Sequence, residues 1–185
     1  NKLILTLKSS IQVLNTIRSS QKEWIAILKS HIALLEDYVK DPDLAGITGE
    51  AKTLYNFDDL KDLGNQIAGQ EERLEVERAQ KKETELDLEN SKKKVAAAEK
   101  TVKEKLREQA EFSKDVKAHD RYVHIKSEIL DAEVLLAGYE TDSLILKTQE
   151  KEAKLALLTD AVFIEEHKLE ILKKKLDFIV RSSLR

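Results

Sequence analysis

The sequence predicts an all-α protein: an elongated antiparallel three-helix coiled coil, with a bundle body and a long two-helix arm. Three observations predict it. Leu, Ala, Glu, Lys and Arg make up about half of the 185 residues, a composition typical of coiled coils and long helices. Apolar residues recur on alternating steps of three and four, which is the coiled-coil period. One Pro, five Gly and 5% aromatic residues leave little turn chemistry for a many-stranded sheet and few large side chains for a compact core.

The first helix is expected over about residues 3–40. Ile4, Leu7, Ile11, Leu14, Ile25, Leu28, Ile32, Leu35 and Val39 form one stripe, interrupted only by Arg18 and Gln21. Val13, Ile17, Trp24, Ile27, Leu34 and Tyr38 form a second stripe beside it. Two adjacent stripes make a face too broad for one partner helix, so this helix belongs in a bundle of at least three. Leu7, Ile11, Leu14, Trp24, Leu28, Ile32 and Leu35 are its expected core or dimer residues.

Asp41, Pro42 and Asp43, followed by Gly46 and Gly49, mark a loop over about 41–53. A second helix is expected over about 56–117, with Asn56 as its cap and Asp59 in its first turn. No further Pro follows. A hairpin of equal arms places the bend near residue 119, where Ser113, Asp115, His119 and Asp120 cluster. Glu89, Asn90 and Ser91 offer a second possible bend. The third helix then covers about 121–183, and the whole chain reads as one elongated domain.

Apolar character varies along the chain. Between Gln70 and Glu111 only 12 of 42 residues are apolar, and the seam shrinks to Ile67, Leu74, Leu88, Val95 and Val102. The C-terminal stretch carries Leu155, Leu158, Val162, Leu169, Leu172, Leu176 and Ile179 on one seam, of which Leu158, Val162, Leu169, Leu172 and Leu176 are expected core residues. The first helix is therefore expected to pack on the start of the second and the end of the third. That body is about 40 residues, or ~60 Å, long, and the hydrophilic middle leaves it as the arm. Faces this generous predict a homodimer.

Charge and residue types exclude several chemistries. A net charge of −3 argues against a protein that coats nucleic acid. The absence of Cys removes disulfides and thiolate metal sites. His31, His119, His124 and His167 do not pair at metal-ligand spacing. Gly46, Gly49, Lys52 and Thr53 lack the spacing of a phosphate-binding loop. Thin helical arms offer no desolvated pocket for a general acid. Neither an enzyme nor a bound cofactor is expected. The longest apolar runs are far short of the roughly 20 residues that span a bilayer, and no leader is recognisable. The expected address is cytoplasmic, free or peripheral on membranes, with an organelle left open.

Lys92, Lys93 and Lys94 form the densest cationic run, with Lys100 and Lys103 beyond them. Interleaved Glu99 and Glu104 suit a solvated coiled-coil face. Cations gathered on one side of an arm would instead meet anionic lipid headgroups, each contributing about 1 kcal/mol.

A first helix of about 40 residues, a loop over Asp41–Gly49, two long helices with a polar arm, and the rhythm of Val116, Tyr122, Ile125, Ile129 and Leu136 together resemble a BAR domain, the dimeric membrane-curvature module of amphiphysin-like proteins and sorting nexins. The resemblance is one of pattern over the whole chain. It implies a homodimer whose concave face presents Lys92, Lys93, Lys94, Lys100 and Lys103 to curved anionic membrane. The competing class is a structural tether, spacer or organellar scaffold that meets other coiled-coil proteins without binding lipid. A helical pore-forming toxin component is a third reading, disfavoured because it needs a contiguous apolar tongue.

Overall fold

A computed structural model describes residues 2–40, 57–115 and 121–183. They form three helices: α1 (Lys2–Lys40), α2 (Phe57–Asp115) and α3 (Arg121–Ser183). All described residues are helical, and the helices pack against one another, so the all-α three-helix fold is established. The expected loop at 41–53, the Asn56 cap and the bend near 119 lie outside the described residues. The alternative bend at Glu89–Ser91 is not used, because α2 runs unbroken through it. Glu89 pairs with Lys93 one turn on at 2.7 Å, and no Gly or Pro interrupts the backbone there.

Tertiary contacts divide the chain into two compact units, one of residues 1–26 with 86–153 and the other of 27–85 with 154–185. In the first unit α2 and α3 run antiparallel, with Lys92 bonded to Glu152 at 3.0 Å, Lys105 to Glu133 at 3.3 Å and Gln109 to Asp131 at 2.6 Å. Lys2, at the start of α1, reaches Glu133 at 2.6 Å. The core of this unit is built from small residues. Ala132, Ala137, Ser91, Thr141, Ser143 and Thr148 are buried, with Leu88 and Leu146 as its large buried side chains.

The second unit has an aliphatic core. Leu74, Val162 and Leu169 cluster, with Ile67 packed on them, and Leu63, Leu158, Ile164 and Ile179 are also buried. Polar contacts tie its helices. His31 Nε2 lies 2.6 Å from Asp160. Because a carboxylate only accepts, that nitrogen carries the proton. The buried Gln70 side chain donates to both the backbone carbonyl and the carboxylate of Glu165. Tyr38 meets Phe163 edge-on, and Phe163 stacks with His167 at 6.5 Å.

The arm sits elsewhere than expected. Within the first unit, Ala98 and Thr101 of the hydrophilic middle line one cleft with Val13 and Thr16 of α1, so this stretch is accompanied by the first helix. The α2–α3 stretch beyond α1 in this unit starts near Glu133, where Lys2 ends, and includes Lys126 over the Phe112 ring at 4.7 Å. The reason is steric. Small side chains on all three helices let the backbones approach without a wide apolar stripe.

Candidate functional site

The site that stands out is the outward face of α1. Its inward residues are Leu3, Thr6, Ser10, Val13, Ile17, Ser20, Trp24, Ile27, His31, Leu34 and Tyr38, an unbroken run of three- and four-residue steps. Ser10 is 7% exposed and Ser20 is 4% exposed. Burial of hydroxyls is tolerated here because Thr6 donates to the Lys2 carbonyl and Ser10 to the Thr6 carbonyl, each at 3.1 Å. Thr84, Thr141 and Thr148 repeat the device on α2 and α3. Among the described residues no buried side-chain N or O lacks a hydrogen-bond partner.

The greasier stripe, displaced by one residue, points away from the chain. Ile4, Leu7, Ile11, Leu14 and Ile25 in the first unit are exposed, and so are Leu28, Ile32, Leu35 and Val39 in the second. Ile11 is 60% exposed and Val39 is 82% exposed. Leu7, Ile11, Leu14, Leu28, Ile32 and Leu35 are thus not core residues of the single chain. These expected core-or-dimer residues stay outside the core of the single chain because its seam takes side chains that fit a close helix approach, not those with the largest surface. Of the other expected core residues, Leu158, Val162 and Leu169 are buried, while Trp24, Leu172 and Leu176 are half-buried.

The stripe has a cationic border. Lys8, Lys22 and Lys29 recur beside it at multiples of seven residues, in series with Asn15 and Glu36. Among the described residues no carboxylate lies at ion-pair distance from Lys8, Arg18, Lys22 or Lys29, whereas lysines of α2 and α3 pair widely.

The lysines singled out on α2 are arranged differently. Lys92 leans to Glu152 on α3, Lys93 turns back to Glu89, and Lys100 pairs with Glu104 at 3.8 Å. At roughly 100° per residue, Lys92, Lys93, Lys100 and Lys103 share one side of α2 with Glu85, Glu89, Glu99 and Glu104, while Lys94 points elsewhere. That side is close to neutral. Lys94 and Lys103 are exposed.

Glu133 is the best-held charge. Lys2 and Lys105 flank it, and their hydrogen bonds keep its carboxyl below the ordinary carboxylate range, Lys2 contributing most. Lys105 is raised, first by Glu108 and then by Glu133. A carboxylate depressed in the folded state stabilises above its unfolded pKa and loses that contribution as pH falls through the folded value. Glu133→Gln is therefore expected to lower stability at neutral pH, with the gap to the wild type closing in acid. Urea titrations at several pH values check this, and a gap independent of pH would show that the charge is not what matters.

The cleft in the first unit has a volume of about 410 Å³, is lined by Val13, Ala98, Ala137 and Leu144 with Thr16, Thr101, Ser143 and Glu140, and is open. No group of three or more His, Asp or Glu able to hold a metal occurs among the described residues. None of their helices is long and apolar enough to cross a membrane. Comparison with known proteins finds no matching family model, no similar curated protein and no similar solved structure.

Proposed function

We propose that this chain is a non-enzymatic assembly module, a helical scaffold that pairs with a second copy of itself through the outward stripe of α1. The observation that carries the reading is the second apolar face of α1: its inner seam is already apolar apart from Thr6, Ser10, Ser20 and His31, and yet nine further large aliphatic side chains from Ile4 to Val39 stand exposed on its outer side. Nine side chains, each roughly half exposed, present on the order of 800 Å², the share one partner contributes to a standard interface. Patches on monomeric proteins are usually about 300–600 Å². Larger exposed patches mark interaction surfaces, and a second copy supplies the matching stripe.

Sedimentation equilibrium tests this. The wild type is expected to give a dimer mass at micromolar concentration. Ile11→Asp combined with Leu28→Asp is expected to give a monomer with unchanged helical content, because each carboxylate sits in solvent once the copies part. A monomeric wild type sinks the reading. So does a double variant that unfolds while Ile11→Ala with Leu28→Ala stays dimeric, because the stripe would then be core.

A second reading, binding of anionic membrane as in the BAR-like expectation, has Lys94 and Lys103 in its favour, both exposed cations. It predicts sedimentation with phosphatidylserine vesicles that weakens with salt and after Lys92, Lys93 and Lys94 are changed to Glu. The pairing of Lys92, Lys93 and Lys100 with nearby carboxylates supports the scaffold instead.

A further inference from the structure

We infer that the two copies pair antiparallel along α1, with Arg18 of each set against the partner's Gln21. The inference rests on the self-association proposed above and adds its direction and register. The outward stripe holds eleven positions from Ile4 to Val39, and only Arg18 and Gln21 are polar. They are adjacent on the stripe and near its middle.

In antiparallel coiled coils, residues at the two alternating seam positions meet each other across the interface. Running the stripe against itself in one register places Ile4 opposite the partner's Leu35, Leu7 opposite the partner's Ile32, Ile11 opposite the partner's Leu28 and Leu14 opposite the partner's Ile25. The same register brings Arg18 opposite the partner's Gln21, twice. Every aliphatic side chain in this run faces another. The two polar positions face each other, where the Arg18 guanidinium donates to the Gln21 side-chain carbonyl.

The alternatives leave mismatches. A parallel in-register pair sets Arg18 against the partner's Arg18, two like charges at a closing seam. Moving the antiparallel register by one heptad puts Arg18 against the partner's Leu28 and Gln21 against the partner's Ile25. The first sets like charges together and the second leaves both polar groups against aliphatic side chains, a standard means by which polar seam residues specify orientation. The favoured register also brings the border lysines together, Lys8 near the partner's Lys29 and Lys22 near the partner's Asn15. This repulsion is screened by salt, so pairing tightens as ionic strength rises, opposite in sign to lipid binding.

The chain contains no Cys, so introduced thiols report alone. Leu14→Cys and Ile25→Cys chains are co-refolded and mildly oxidised, and the wild-type mass is measured in parallel. The expected result is a disulfide-linked dimer of unlike chains, with little linkage when either variant is oxidised by itself. Ile11→Cys with Leu28→Cys repeats the test at a second layer. Self-linkage of each variant alone, or no linkage at either layer in a protein of dimer mass, overturns the antiparallel register while the self-association stands. A monomer mass overturns both. Dissociation that weakens steadily with added salt supports the register, and dissociation promoted by salt counts against it.

Discussion

Leu74→Ala is expected to destabilise the second unit by about 2–4 kcal/mol. Leu74 is 5% exposed and packs with Val162 and Leu169. Truncating it removes transfer energy and leaves a cavity that α2 and α3 cannot close, because Ile67 and Leu63, on the turns before it, are already engaged in the same seam. For a chain of this length the loss corresponds to a fall in Tm of roughly 5–15 °C. Ile11→Ala, an aliphatic truncation of similar size on the outward stripe, should change the stability of the separated chain by less than about 0.5 kcal/mol. Urea titrations followed by circular dichroism, at one dilute protein concentration for both variants, check the pair. Equal effects, or a loss at Leu74 below about 1 kcal/mol, would show that the aliphatic cluster is not where the unit holds together.

Period was legible in the sequence and facing was not. The steps of three and four that run through α1 and the C-terminal part of α3 are visible to anyone counting apolar residues, and with the thin seam of α2 they yield three helices. Two stripes on α1 share that period and differ by one residue, so period cannot choose between them. Hydrophobicity marks the stripe of Ile4 to Val39 as core or dimer seam, and in the single chain it is the exposed one of the two. The residues that decide are Thr6, Ser10 and Ser20, which look like surface residues in a sequence and become seam residues because each is small and the first two bond their own helix.

The middle of α2 misleads in the same way. Its apolar seam of one residue per heptad is completed by Gln70, Thr84, Ser91 and Ala98, which are buried or half-buried, so the stretch is a seam of mixed polarity and not a bare arm. A signal was present in retrospect: Thr84, Ser91 and Ala98 recur at sevens between Leu88, Val95 and Val102. The lysines could be found from their density, and the pairs of Lys93 with Glu89 and Lys100 with Glu104 from a spacing of four, but the partner of Lys92, Glu152 on α3, depends on helix pairing.

Which face of α1 meets solvent is best measured by thiol labelling of two neighbouring positions. Ser10→Cys and Ile11→Cys are each introduced into the otherwise thiol-free chain and labelled at dilutions where the copies separate. Ser10 is 7% exposed and Ile11 is 60% exposed, so a thiol at the first position reacts only when α1 opens, while one at the second reacts at once. Labelling at position 11 is expected to be at least roughly tenfold faster, and to slow as protein concentration rises and the stripe is covered. Faster labelling at position 10, with position 11 protected at every dilution, would mean that the aliphatic stripe lies inside the single chain.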